Sequence, residues 1–215
     1  MDGLLLDSEA VQKAAMRSVA GELGYSLADE VLLATVGVER ARNRVTLQHA
    51  LGGGFPLDAF YAEVDRRFAA VVASGMPLRP GVDELLAVCD TFRLPRAVAT
   101  STAAPWAQQR LASAGLLSRF DAVVTVSDVA RPKPAPDPYL AAAAAIGARP
   151  AHCLALDDSA NGVRSALAAG LVTIMVPDLV GPAPDIVGRV AAVCGSLGEV
   201  ARRLHRDLSA RTQPG

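Results

Sequence analysis

Residues 152–162 read His-Cys-Leu-Ala-Leu-Asp-Asp-Ser-Ala-Asn-Gly, and this stretch decides the fold. An apolar run over 152–157 ends in adjacent aspartates, and a helical pattern follows over 159–169. The run lacks the strict alternation of a half-exposed strand, as strands buried on both faces do. A buried strand followed at once by a helix is the unit from which parallel α/β sheets are built.

The same rhythm of strand and helix recurs on both sides of this stretch. It predicts an α/β core that is Rossmann-like, with a parallel sheet covered by helices on both faces. A weaker strand is expected near 190–194, with a last helix near 197–209. The other predicted strands are 94–100, 121–126 and 171–176, and the other predicted helices are 104–114 and 136–146.

The N-terminal third of the chain has a different pattern. Helical periodicity dominates it, and no segment there has the composition of a strand. We therefore interpret 9–78 as a helical cap inserted into an α/β core that consists of 1–8 and 79–215. The predicted helices of this cap are 8–23, 28–34, 38–50 and 56–74.

Composition excludes several classes of protein. The 215 residues carry a net charge of -1, without the basic excess expected of a nucleic-acid binder. No apolar run is long enough to cross a bilayer, and no signal peptide is evident, so we expect no membrane partner. The three cysteines are widely spaced and lie among apolar residues, which favours reduced thiols and a cytoplasmic location. We expect a monomer or a small homo-oligomer.

Polar residues stand at the ends of the predicted strands. They are Thr100 with Ser101, Lys133, the pair Asp157–Asp158, and Asp2 beside an apolar segment at the start of the chain. The carboxyl ends of parallel strands meet at one edge of a sheet, where active sites of such folds gather. We therefore expect these residues to converge on one site.

The chemistry of this set is coherent. Adjacent carboxylates such as Asp157 and Asp158 repel each other unless a cation lies between them, and Mg²⁺ is a hard ion that prefers oxygen ligands. A threonine hydroxyl and a lysine can hold the oxygens of a phosphoryl group. Each residue also has a local explanation: Thr100 and the acidic pair could cap helices, and Lys133 could lie on the surface of a stiff loop.

Four segments, in this order, resemble the four signatures of the haloacid dehalogenase superfamily. The spacing resembles the branch that contains phosphoglycolate phosphatase and β-phosphoglucomutase, with its helical insertion after the first signature. The segments are 1–9 (Met-Asp-Gly-Leu-Leu-Leu-Asp-Ser-Glu), 97–101 (Ala-Val-Ala-Thr-Ser), 133–137 (Lys-Pro-Ala-Pro-Asp) and 156–162 (Leu-Asp-Asp-Ser-Ala-Asn-Gly).

The resemblance implies a role for each residue of the site. Asp2 is the implied acid and base of the reaction, and its backbone carbonyl is an implied ligand of Mg²⁺. Thr100 and Lys133 are implied to bind the transferred phosphoryl group. Asp157 and Asp158 are implied to bind Mg²⁺ directly or through water. Substrate binding is expected of Ser101 and Arg40, although a solvated helix face remains an alternative for Arg40.

The attacking aspartate of the first signature would lie immediately upstream of Met1, together with the apolar strand that it follows in this superfamily. We therefore expect an N-terminally truncated chain with impaired or no activity.

For the complete protein the resemblance implies a Mg²⁺-dependent phosphatase that acts on a small phosphorylated metabolite, a phosphosugar or phosphoglycolate-like compound, through an aspartyl phosphate. The alternatives are an inactive relative that binds a phosphorylated ligand and a phosphomutase. Gln12 and Ala103–Ala104 stand where mutases of this branch carry other residues, and this favours hydrolysis.

Overall fold

The computed structural model of the chain describes residues 1–35, 38, 40–178 and 181–212. It divides into two compact units. One consists of Met1–Leu6 and Pro77–Gly215, and the other of Asp7–Met76. We call them the α/β unit and the helical unit. Within the described residues, no helix combines the length and the apolar character that a membrane span requires.

The α/β unit contains parallel strands only, in the part of the chain that is described. Each predicted apolar run contains a strand that is shorter than the run. β1 pairs with β2, β3 with β4, and β4 with β5, all in parallel. The predicted fold class, a parallel-stranded α/β fold with a helical insertion, is confirmed. The strands are β1 (Ala97–Ala99), β2 (Ala122–Val124), β3 (Leu154–Asp157), β4 (Val172–Met175) and β5 (Ala192–Val193).

Helices follow most strands of the α/β unit and make up most of the described part of the helical unit. Their positions agree with the periodicity of the sequence, and one further helix, α5, follows Pro80–Gly81. Position 39 of the predicted helix 38–50 lies outside the described residues. The helices are α1 (Ser8–Glu22), α2 (Asp29–Ala34), α3 (Arg40–Leu51), α4 (Leu57–Ser74), α5 (Val82–Thr91), α6 (Ala104–Ser113), α7 (Asp137–Ala145), α8 (Ala160–Ala168) and α9 (Leu197–Thr212).

The helical unit has a hydrophobic core of its own. Leu32, Leu47 and Phe60, from α2, α3 and α4, are almost fully buried. Phe60 packs between the rings of Phe55 and Tyr61, with centroid distances of 5.0 and 5.2 Å. Offset and edge-to-face contacts of this kind add to the free energy that burial of the rings provides. Packing of helices therefore accounts for the described part of this unit, which contains no strand.

The sheet of the α/β unit is interrupted between β1 and β3. β1 and β2 form one sheet, and β3, β4 and β5 form another. Lys133 Nζ lies 3.1 Å from the carbonyl oxygen of Ala99 and 2.8 Å from Oδ2 of Asp157. Because one ammonium group touches the carboxyl ends of both β1 and β3, the two sheets run in the same direction at that point.

An apolar cleft of about 390 Å³ lies between β1 and β3. Every residue of both strands lines it, and Met1 lies in its wall. Two groups of helices supply the remaining apolar surface. Their residues in the cleft are Leu85, Leu86, Leu204 and Leu208 from α5 and α9, and Tyr139, Ala142 and Ala143 from α7.

The hydrogen bonds between β1 and β2 show which peptide groups of β1 face this cleft. The amide of Thr100 donates to Val124 O, and Arg96 O accepts from the amide of Asp121. The peptide groups of the even-numbered residues in and beside β1 therefore face β2. Peptide groups alternate in direction along a strand. Those of Ala97 and Ala99 therefore face the cleft.

The same rule applies to β3. Cys153 O accepts from the amide of Val172, and Asp157 O accepts from the amide of Val176. The peptide groups of the odd-numbered residues in and beside β3 therefore face β4. The peptide groups of Leu154 and Leu156 therefore face the cleft. Two open strand edges that run in the same direction border one apolar space, which has the form of a missing strand position.

Replacement of Gly81 by alanine is expected to destabilise the α/β unit strongly. Gly81 has a φ of 90°. A Cβ atom on it would lie 2.1 Å from the backbone nitrogen of Gly198, at the point where α5 and α9 meet. Gly147 is a matched control, because its φ is 65° and no atom lies within 4 Å of a Cβ there.

Urea unfolding should show a loss of about 1–2 kcal/mol in Gly147→Ala, from the left-handed backbone alone. The loss in Gly81→Ala should be about 3–5 kcal/mol, because backbone atoms must also separate. Equal losses of unfolding free energy in the two variants would show that the close approach of Gly81 to Gly198 does not matter for stability.

Candidate active site

A buried ion pair lies where β1 and β3 end. Lys133 Nζ is 2.8 Å from Oδ2 of Asp157, and the two side chains are only 9% and 6% exposed. Lys133 also donates to the carbonyl oxygen of Ala99, 3.1 Å away. The proline-rich segment that carries Lys133 therefore brings its ammonium group to the carboxyl edge of the sheet. The side chain of Lys133 is thus nearly buried, and the alternative of a surface lysine is wrong.

The carboxylate of Asp157 is held from several directions. Tyr139 Oη donates to Oδ2 over 2.6 Å, and Ser159 donates to Oδ1 through its amide and its hydroxyl, at 2.9 and 2.8 Å. Burial acts to raise the pKa of Asp157, but the charge of Lys133 and the hydrogen bonds from Lys133 and Tyr139 act to lower it, and the pKa lies below its usual value. Asp157 is therefore an ionised carboxylate in a fixed position.

Ser159 is the residue that caps α8. Its hydroxyl accepts from the amide of Gly162 over 3.0 Å. Helix capping therefore does not explain Asp157, whose own carboxylate accepts from Ser159. A Cβ atom on Gly162 would lie 2.0 Å from the carboxyl group of Asp157, so the absence of a side chain at Gly162 leaves the space that this carboxylate fills.

Asp158 is a largely buried carboxylate with a perturbed pKa. Burial and, to a smaller extent, the charge of Asp157 raise its pKa to about 6. A Cβ atom on Gly3 would lie 2.4 Å from Oδ2 of Asp158. Gly3, with a φ of 73°, thus lets the N-terminal segment pass directly against this carboxylate.

Asp2 is oriented by two residues from the region that follows β1. Arg110 Nη1, on α6, lies 2.9 Å from Oδ1, and Thr102 Oγ1 donates to Oδ2 over 2.8 Å. The amides of Leu5 and Leu6 both donate to Met1 O, at 2.8 and 3.1 Å, and this tight turn places Asp2 at the end of β1. Both carboxylate oxygens of Asp2 are thus held by the α/β unit.

Thr100 and Ser101 differ in exposure. Thr100 is buried, and its hydroxyl accepts from the amide of Thr102 over 3.1 Å. The residue at the N-cap of α6 is Ala103, so Thr100 does not cap that helix. Ser101 is exposed at the same turn. The turn therefore offers one buried and one accessible hydroxyl close to Asp2.

Arg40 lies in the helical unit, at the start of α3. Its guanidinium group forms two hydrogen bonds with Asp65, at 2.8 and 2.6 Å, and lies 4.7 Å from the centre of the Tyr61 ring. The bond with Asp65 raises the pKa of Arg40. These contacts describe Arg40 within its own unit, and its role in substrate binding stays a prediction.

The acidic pair is the part of the site that fits a divalent cation. Two adjacent, largely buried carboxylates supply oxygen ligands, and a cation would offset the free energy required to ionise Asp158. Within the described residues, no three side chains of histidine, cysteine, aspartate or glutamate form a cluster suited to a metal ion. Any such ion would therefore need backbone, water or substrate oxygens in addition to Asp157 and Asp158.

Sequence reasoning gave no role to three residues of this site: Tyr139, Thr102 and Arg110. Tyr139 lies near the start of α7, where a hydrophobic residue is equally compatible with the pattern. Thr102 was visible only as one more hydroxyl after β1. Arg110 lies eight residues further along, at a distance in the chain that no motif marks. Only the path of α6 brings its guanidinium group to Asp2.

Comparison with known proteins identifies the family. The sequence model of the haloacid dehalogenase-like hydrolases matches residues 1–170. The chain belongs to this family. Protein CbbY of Cupriavidus necator is 34% identical over 193 residues, which cover 82% of this chain and 76% of that protein. Hexitol phosphatase B of Escherichia coli is 33% identical over 180 residues, covering 82% and 81%.

Solved structures agree with the family. The structure of CbbY from Rhodobacter sphaeroides in complex with phosphate matches with a TM-score of 0.66 and 26% identity, and covers 93% of each chain. The resemblance to the haloacid dehalogenase superfamily is thereby confirmed. The expected enzyme class, a phosphoric monoester hydrolase of this superfamily, is confirmed by the relatives.

Proposed function

We propose that the complete protein is a Mg²⁺-dependent phosphatase that hydrolyses a small phosphorylated sugar through an aspartyl phosphate. The observation that carries the proposal is the buried contact of Lys133 with Asp157 and with the carbonyl oxygen of Ala99. This contact brings the ammonium group of Lys133 beside the acidic pair, at the edge of the sheet where the Asp2 turn also lies. The names of the relatives, among them hexitol phosphatase B, support a sugar phosphate as the substrate.

The proposed reaction has two steps. In the first, an aspartate oxygen forms a bond to phosphorus, the bond from phosphorus to the sugar oxygen breaks, and Asp2 gives its proton to that oxygen. In the second, Asp2 takes a proton from water, whose oxygen attacks phosphorus and releases orthophosphate and the free aspartate. Lys133 and the Thr100 hydroxyl would bind the phosphoryl oxygens.

Magnesium would be held by Asp157, Asp158 and the backbone carbonyl of Asp2, and when bound it supplies positive charge to the phosphoryl oxygens. Asp157 is fixed by Lys133 and Tyr139, so its position does not depend on the ion. Ser101 and Arg40 are proposed to contact the substrate, and the helical unit is proposed to act as a cap. A cytoplasmic location is consistent with the free thiols of Cys89, Cys153 and Cys194.

The attacking aspartate is proposed to precede Met1 in the complete protein. The segment that ends in it would fill the cleft between β1 and β3 as a parallel strand of about five residues. Both of its faces would meet apolar side chains, from α7 and from α5 with α9. The segment should therefore be apolar throughout, because parallel strands buried on both faces have no polar side.

Amide hydrogen exchange tests this arrangement at single residues. When the residues encoded before Met1 are present, the amides of Ala97, Ala99, Leu154 and Leu156 should be protected, because they face the added strand. When a Gly-Ser segment of equal length replaces those residues, the same four amides should exchange rapidly.

The amides of Val98 and Ala155 are internal controls, since they face β2 and β4. They should be protected in every folded form. If these controls are protected and the four cleft amides are not, in the protein that carries its upstream residues, no strand fills the cleft.

Activity is tested on the protein with its upstream residues, with and without Mg²⁺. The substrates are fructose 1-phosphate, glucose 6-phosphate, ribose 5-phosphate, phosphoglycolate and acetyl phosphate. Release of orthophosphate that requires Mg²⁺ and prefers a sugar phosphate is the expected result. Isomerisation of β-glucose 1-phosphate to glucose 6-phosphate would identify a mutase. Binding of a sugar phosphate without turnover would identify an inactive relative.

A further inference from the structure

Trp106 is a large apolar residue that the hydrophobic core of the α/β unit does not use. It lies in the first turn of α6, and 60% of its surface is exposed. The face of α6 that enters the core is formed by Ala107 and Leu111, both fully buried. Trp106 therefore stands on another face of the helix, and packing does not account for it.

That face belongs to the candidate active site. On α6, position 106 lies four residues before Arg110, which bonds to the carboxylate of Asp2. Thr102, which also bonds to this carboxylate, lies in the turn just before the helix. Side chains four residues apart on a helix lie over one another, and they incline towards the N-terminus. Arg110 leans towards the turn of Trp106 to reach Asp2, so the spacing along α6 places the indole on the side of the helix from which Arg110 reaches the proposed acid.

We propose that Trp106 forms a binding surface for the leaving group and selects a sugar over a smaller alcohol or acid. This inference rests on the proposed function, because the leaving group is defined by the acid that protonates it. That group must lie within hydrogen-bond reach of Asp2, and so beside the indole. The C–H faces of a sugar ring or polyol chain pack on the flat face of an aromatic ring.

The residues that precede Trp106 in the chain leave its ring accessible. Its neighbours before and after the start of α6 are Ala103, Ala104 and Pro105, which carry no charge and no long side chain. A leaving group with several carbon atoms can therefore extend from Asp2 onto the indole. A leaving group of two carbon atoms, such as acetate, is too short to cover it.

Substrate preference in the complete protein tests the proposal. The measured quantity is the ratio of kcat/KM for the best sugar phosphate of the panel to kcat/KM for acetyl phosphate. Trp106→Ala should lower this ratio about tenfold, and Trp106→Phe should restore most of it, because an aromatic contact contributes about 0.5–1.5 kcal/mol. Leu117→Ala, which removes another exposed apolar side chain of the same unit, should leave the ratio unchanged.

If Trp106→Ala only distorts the helix, both kcat/KM values should fall by the same factor and their ratio should not change. An unchanged ratio would therefore overturn the proposal. A second measurement uses the fact that the chain contains a single tryptophan. Its emission, followed in the Asp2→Asn variant to prevent turnover, should change on addition of the sugar phosphates and not of orthophosphate.

The two ideas fail separately. If no substrate is turned over but the sugar phosphates change the emission, the phosphatase function is wrong and the surface at Trp106 stands. If a sugar phosphate is hydrolysed and neither the emission nor the ratio responds, the function stands and Trp106 has no part in specificity.

Discussion

Replacement of Asp2 by asparagine in the complete protein is expected to lower kcat for a sugar phosphate by about 10²–10⁴-fold, the range that a general acid and base contributes. Asparagine keeps the shape of the side chain and can still accept from Thr102, which now lies 2.8 Å from Oδ2. It has no proton to give to the sugar oxygen and cannot accept one from water.

The leaving group separates the two roles of Asp2. 4-Nitrophenolate needs no proton to leave, so the first step of 4-nitrophenyl phosphate hydrolysis should persist in Asp2→Asn. The second step still requires a base. Rapid-quench or stopped-flow measurement should therefore show a burst of one equivalent of nitrophenolate, followed by slow turnover.

Thr102→Val is a matched control. It removes one of the contacts that orient Asp2 but leaves its carboxylate in place. We expect a smaller loss of kcat and no burst in this variant. Mg²⁺-dependent hydrolysis of sugar phosphates at the normal rate by Asp2→Asn would show that another residue is the acid and base.

Replacement of Lys133 by methionine is expected to lower the free energy of unfolding by about 3–5 kcal/mol, because it leaves the buried carboxylate of Asp157 without its counter-charge. Methionine has a similar length and fills the same space. The side chain of Asp157 is 6% exposed, so water cannot take over the role of the ammonium group. Phosphatase activity should be lost as well, since Lys133 is proposed to bind the phosphoryl group.

Two further variants make this prediction specific. Lys13→Met removes the chain's other lysine, which lies on α1 in the helical unit, and should change the free energy of unfolding by less than about 0.5 kcal/mol. Lys133→Met combined with Asp157→Asn removes the unpaired charge, so it should recover part of the stability but no activity. Chemical denaturation in urea measures all three. A double variant as unstable as Lys133→Met would exclude the unpaired carboxylate as the cause.

The sequence predicted the architecture of the protein because its signals are local. The apolar run 152–157 and the helical pattern after it require only neighbouring residues to be recognised, and each appears in the structure as β3 and α8. The helical insertion was equally visible, since its periodicity does not depend on what it packs against. The identity of the acidic pair at the end of β3 also followed directly from the chain.

The sequence was less informative about how the site is held together. Thr100 and Lys133 each had a local explanation, a helix cap and a surface position, and the structure excludes both, while their catalytic roles stay predictions. The partners of Asp2 and Asp157 were not predicted. Arg110 is 108 residues from Asp2 along the chain, and Tyr139 is 18 residues from Asp157. Contacts between distant residues leave no pattern in a single sequence.

The sequence by itself therefore determined the α/β class, the helical insertion and the polar residues that end the strands, because periodicity and strand–helix order are properties of short segments. The tertiary structure alone decided that Lys133 is buried against Asp157, that Arg110 and Thr102 hold Asp2, and that an apolar cleft separates β1 from β3. The physical reason is that burial, ion pairing and strand neighbourhood arise only when segments far apart in the chain pack together.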